Sequence, residues 1–162
     1  MNARGLKPGT LHQSIVIGAT VINTFAVLSL PTAIRAEDSR SCTAALFKAQ
    51  NQLSANRKVE TAIRIRDVSK TYRNSPSDRP MNYVFILSGA DANTVMKSPQ
   101  RLKAPATDVI QNCRSVGMVS FALSASGWYH SVGIMPGRKF DFFRCVEADR
   151  LTQLVWGEQS CS

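Results

Sequence analysis

Histidine is scarce in this chain: His12 and His130 are the only two in 162 residues. The four cysteines, Cys42, Cys113, Cys145 and Cys161, include no CxxC. With a single histidine beyond the first few residues, they do not make a zinc set. No phosphate loop, dinucleotide fingerprint or GxSxG elbow occurs, and no cofactor is expected. Carboxylates are few as well, 11 against 20 Lys and Arg, and none lies in the first 36 residues.

Those 36 residues read as one unit. "MNARGLKPGTLHQS" carries Arg4 and Lys7, "IVIGATVINTFAVLSL" is mostly apolar, and "PTAIRA" offers Pro31 as a breaker and small Ala36 at its end. A basic start, an apolar middle and a small-residue end mark a secretory signal peptide over 1–36, cut after Ala36. The competing reading is an uncleaved anchor, against which Asn23 and Thr24 count, since a spanning helix needs about 20 mostly apolar residues. No second long apolar run follows, so residues 37–162 are expected to form a single soluble α+β domain, without a transmembrane segment once the signal is removed.

All four cysteines fall in that mature part. An even number in an exported chain argues for two disulfides, each stabilising by about 3–4 kcal/mol in the chain-entropy model. Three pairings are open; Cys42–Cys113 with Cys145–Cys161 is the favoured one. Losing Arg4, Lys7 and Arg35 with the leader leaves 17 basic residues against 11 acidic, a net charge of +6. Such a charge attracts anionic surfaces, and the expected partners are an anionic polysaccharide, a lipid surface or an envelope protein. A periplasmic or secreted location offers little nucleic acid, so no nucleic-acid partner is expected. The mature domain is taken to be a monomer.

Along the mature chain, "SCTAALFKAQNQLSANRK" places Cys42, Leu46, Ala49 and Leu53 on one helical stripe, with Ser41 as a cap. "VETAIRIR" alternates, with Val59, Thr61, Ile63 and Ile65 on one strand face and Glu60, Arg64 and Arg66 on the other. The polar segment 67–82 holds Lys70, Tyr72, Arg73 and Arg79 and reads as a long loop, a form often tied to function. A basic contact face built from Arg64, Arg66, Lys70, Tyr72, Arg73 and Arg79 is therefore the candidate binding surface; a plain solvated face has the same composition. "YVFILSG" suggests a strand buried on both faces, expected to pair with residues 59–66. Asp91 and Ser98-Pro99 mark helix starts, and Pro105 is expected to open a helix that turns Val109, Ile110 and Cys113 inward.

From Val116 the period falls to two, and "GWYHSVGIMPGRKFDFF" concentrates five of the mature chain's eleven aromatics. An odd-numbered loop at "PG" opposes Val132 to Phe140 and His130 to Phe142. It gathers Trp128, His130, Val132, Ile134, Phe140 and Phe142 on one face, leaving Tyr129, Ser131 and Gly133 on the other. Phe143 is the exception to that pattern. His130 then belongs to a packed, hydrogen-bonded core edge; no fixed spacing gives it a nucleophile or an orienting acid.

The pattern "CRSVGMVSFAL…GWYHSVGIMPGRKFDFFRCVEADR…WGEQSC" resembles uncharacterised exported proteins of cyanobacteria over the C-terminal third. The shared features are a Cys before a strand, a Gly-Trp hairpin, a Phe-Arg-Cys-Val strand end and a Trp-Gly…Cys finish. The resemblance implies a bacterial envelope or extracellular location and carries no activity and no site residues.

The expected architecture is thus α+β: an antiparallel sheet of about five strands, an N-terminal helix, one or two short helices near 91–113 and a C-terminal meander of three or four strands. The expected function is non-catalytic binding, or a role in the cell envelope, through the basic face. The alternative is an exported hydrolase with a site near His130; a secreted inhibitor or toxin forms a third class.

Overall fold

A computed structural model describes residues 30–147 and 153–160, with side chains from residue 39. The expected leader up to residue 29 lies outside the described residues. In order, the elements are helix α1 (Leu30–Ser54), strands β1 (Glu60–Asp67), β2 (Tyr72–Arg73) and β3 (Met81–Ser88), helices α2 (Ala92–Met96) and α3 (Gln100–Asn112), and strands β4 (Val116–Leu123), β5 (Tyr129–Met135), β6 (Lys139–Phe142), β7 (Arg144–Val146), β8 (Leu154–Val155) and β9 (Glu158–Ser160). Helix α1 begins before the expected cap and runs through Ala36. Ser41 therefore sits inside it, and its hydroxyl donates to the Asn112 carbonyl at 3.2 Å instead of capping.

A five-stranded sheet, ordered β1-β3-β4-β5-β6, forms the centre. β1 pairs with β3 antiparallel, Ile63 opposite Phe85, as the two apolar runs led us to expect. The sheet is mixed rather than antiparallel throughout, because β3 and β4 run parallel. A parallel pair requires a long crossover, and α2 and α3 supply it. Helix α3 buries Leu102, Pro105, Ala106, Val109 and Ile110, an amphipathic stripe at three-to-four spacing. Pro105 lies within this helix and does not start it; burial of the stripe outweighs the one N–H bond that proline cannot give to the Arg101 carbonyl.

Helices α1, α2 and α3 cover one sheet face. Beneath them Phe85 and Phe121 stack at 5.5 Å, fully buried with Leu87, Val119 and Val132. The β5–β6 hairpin has the expected odd loop, Pro136-Gly137-Arg138, and the expected faces. Its register differs by two residues: Val132 opposes Phe142 and Ile134 opposes Phe140. Burial fixes the parity of a register but not a slip by two. The turn decides it here, with Gly137 and Arg138 both at positive φ (77° and 59°) closing the chain directly after Met135.

Past β6 the chain leaves the meander. Strand β7 pairs with β9, and β8 with β2, both parallel. The polar segment 67–82 is thus tied down by a short strand. A second apolar cluster forms on the other sheet face from Val68, Tyr72, Met118 and Phe143, with Trp156 against it. Phe143, Tyr72 and Trp156 meet edge to face at 5.1–5.6 Å. Gly133 makes room for this cluster, since a Cβ there would stand 2.5 Å from the Phe143 ring.

Cys42 and Cys113 form a disulfide joining α1 to the end of α3 across 71 residues. Cys145 carries no free thiol; Cys161, its expected partner, lies outside the described residues. By chain entropy, closing a loop of this length stabilises by about 4 kcal/mol. Replacing both Cys42 and Cys113 by Ala is expected to lower the unfolding free energy by about that amount in urea titrations; a loss below about 1 kcal/mol would show that packing alone holds α1.

Candidate functional site

The face away from the helices can be read as cross-strand rows. Arg66, Asn82, Met118 and Gly133 form one row. Arg64, Val84, Ser120 and Ser131 form the next, followed by Ala62, Ile86, Ala122 and Tyr129. The second apolar cluster lies over Met118 and Gly133 of the first row, and Ser120 and Ser131 of the second are buried as well. Val84, Ile86, Met118, Ser120 and Ala122 floor a trough of about 470 Å³, walled by Val68, Thr71 and Tyr72 on one side and by Ser126, Gly127, Trp128 and Tyr129 on the other. From β1 to β5 it spans about 14 Å, three inter-strand spacings.

A polar ladder marks the seam between covered and open rows. The Asn82 amide donates to Ser120 Oγ at 3.1 Å, Ser120 and Ser131 hydroxyls meet at 2.9 Å, and the Ser131 N–H donates to Gln159 Oε1 at 3.1 Å. Asn82 Oδ1, buried, accepts no bond among the described residues. Arg64 and Arg66 stand exposed at the trough's outer rim and make no hydrogen bond or ion pair among the described residues. The only carboxylate lining the trough, Asp67, is already held by the Ser69 hydroxyl and N–H at 2.6 and 2.9 Å, which lower its pKa. The trough is therefore an apolar floor between two phenols, with two free guanidiniums at its mouth.

Of the six residues expected to form the contact face, the structure brings three together: Arg64, Arg66 and Tyr72 line the trough. Tyr72 is not an exposed loop residue; its ring is in the second cluster, only 7% exposed, because Phe143 and Trp156 give it an apolar seat. Lys70 and Arg73 are exposed but do not line the trough. Arg79 belongs to the scaffold, its guanidinium donating to the carbonyls of Ile110 at 2.8 Å and Val116 at 3.2 Å, where α3 ends and β4 begins. The floor residues Val84 and Ile86 escaped the sequence reading, which buried their strand on both faces; they are half-buried.

His130 faces the helices. Its Nε2 lies 3.1 Å from the Met96 carbonyl oxygen, and its ring packs edge-on between Trp128 and Phe142. A hollow of about 370 Å³ beside it contains no carboxylate among the described residues. Nor do the described residues contain a cluster fit to hold a metal ion, or a helix long and apolar enough to cross a membrane. Compared with known protein families, curated proteins and solved structures, the chain matches none.

Burial raises the Tyr72 phenol to about 12, with Tyr129 nearby adding to the effect. An unfolded tyrosine ionises near pH 10. The folded chain holds the proton longer, so stability is full below about pH 10 and falls as pH rises toward about 12. Urea midpoints measured across this range are expected to drop steeply for the native chain and less for Tyr72→Phe. Equal slopes would place the phenol in water.

Proposed function

We propose that this chain is an exported, disulfide-bonded, non-catalytic binding domain of the cell envelope, whose open sheet face receives an anionic component: an acidic polysaccharide, a lipid headgroup or an acidic protein. Export is supported by the leader-like first 36 residues, by the resemblance of the C-terminal third to exported cyanobacterial proteins, and by the Cys42–Cys113 disulfide, a bond that persists in oxidising compartments. One observation carries the binding reading: Arg64 and Arg66 stand unpaired at the mouth of a trough whose only carboxylate is already engaged. Unpaired cations beside an apolar floor attract a ligand with an anionic group on an apolar or ring-bearing body.

Near an anionic surface each cation contributes about 1 kcal/mol. Arg64→Gln/Arg66→Gln is therefore expected to weaken retention on an anionic polysaccharide column or on anionic vesicles by roughly tenfold or more and to flatten its salt dependence. Lys70→Gln/Arg73→Gln, outside the trough, serves as the comparison and should change retention much less. Arg79→Ala should lower stability by about 1–3 kcal/mol, the cost of stripping buried carbonyls of a partner, with binding of the folded fraction intact. Unchanged retention in the Arg64/Arg66 variant would defeat this reading.

A further inference from the structure

β1 is an edge. It pairs with β3 on one side, and among the described residues no strand pairs with its other side. At eight residues it is long for an edge, and long open edges are templates for another strand. Arg64 and Arg66 point from it toward the trough. As alternate strand residues they lie about 6.8 Å apart. On the opposite side of the same strand, Ile65 is 57% exposed, one of only two large apolar side chains so exposed among the described residues.

We propose that the open edge of β1 takes up an extended acidic polypeptide segment as a sixth strand. This rests on the reading that the open face receives an anionic partner, and it names that partner's chemistry. Directly opposed residues of paired strands share a face. A segment with carboxylates at alternate positions and an apolar residue between them would set each carboxylate against Arg64 and Arg66 and cover Ile65, while its backbone completes the free ladder. Polysaccharide and lipid have no backbone amides to do this. A second copy fits less well: β1 has two carboxylates, and Asp67 is already held by Ser69, which leaves Glu60, so an antiparallel partner β1 could serve one arginine of the two. Charges on an edge discourage self-pairing, and the two that discourage a copy of this chain are those that admit an acidic strand.

The test uses the purified, disulfide-bonded protein and short capped peptides: alternating Glu and Val, the same residues in two blocks, and alternating Gln and Val. Titration calorimetry is expected to show the alternating acidic peptide binding about tenfold more tightly than the block isomer, with the Gln peptide weaker still. Hydrogen exchange should slow at the amides of residues 61–67 when the alternating peptide is bound. Equal affinity of the two acidic isomers, or no added protection in β1, overturns strand addition. Retention on polysaccharide or vesicles without any preference for the alternating peptide also overturns it, and leaves the broader anion-binding reading standing. If nothing anionic binds at all, both readings fall. Concentration-dependent dimerisation in sedimentation, with slowed exchange in β1 and no peptide binding, assigns the edge to a second copy instead and overturns the proposal.

Discussion

The parallel pairing of β3 with β4 is the constraint from which the rest of the molecule follows. Two parallel neighbours cannot be joined by a turn, so the chain between Ser88 and Val116 must cross over a sheet face, and it does so as α2 and α3. Once those helices occupy that face, α1 joins them, bound covalently through Cys42 to Cys113 at the end of the crossover. The three helices crowd one side and bury its rows of Ile63, Phe85 and Phe121 and of Tyr83, Val119 and Val132. The opposite side must be covered by what remains: the short β2 segment and the chain after β6. Among the described residues that is enough to bury Met118, Gly133, Ser120 and Ser131, while Ala62, Val84, Ile86 and Ala122 stay partly or fully open. The trough is the uncovered remainder.

Local alternation made much of this legible in the residues, and distant pairing made much of it illegible. Ile63 and Ile65 alternating with Arg64 and Arg66 disclosed β1 and both its faces, because a strand's period of two needs no knowledge of its neighbours. The aromatic hairpin disclosed which of its residues share a face for the same reason. Its register depended on where Gly137 and Arg138 turned the chain, and a slip by two leaves every face unchanged. The mixed sheet left a sign that could have been read. "YVFILSG", apolar on both faces and followed by helical segments before another apolar strand, is the pattern of a strand–helix–strand crossover. Taking the run as doubly buried concealed that Val84 and Ile86 stay half-open and floor the site.

The basic residues divide by what surrounds them, which composition does not record. Arg64 and Arg79 are the same side chain, fifteen positions apart in sequence. Arg79 falls where a helix ends and a strand begins, beside the carbonyls of Ile110 and Val116, and one arm of its guanidinium bonds both. Arg64 falls on an edge strand beside Val84 and meets no acceptor among the described residues. Phe143, the residue that broke the hairpin's alternation, shows the same dependence on context: lying between β6 and β7, it joins the second cluster with Tyr72 and Trp156, and Gly133 is the small residue that admits it.

The polar ladder of Asn82, Ser120, Ser131 and Gln159 separates these two halves of the far face, and its composition has a physical reason. Ser120 and Ser131 are buried, and a buried hydroxyl is costly unless it is bonded; the two satisfy each other, and Asn82 and Gln159 complete the row. The unmatched Asn82 Oδ1 is the one flaw in that seam, and a buried acceptor without a donor costs about 1–3 kcal/mol. A chain with a covalent clamp and a deep helical layer can carry that cost, because its stability resides on the opposite side of the sheet. The larger apolar core and the proposed binding surface thus lie on opposite faces of one sheet, with Tyr72 shared between the trough wall and the second cluster. Substitutions of Arg64 and Arg66 at the trough rim leave the rows beneath the helices as they are, since distant sites with no shared partners contribute independently.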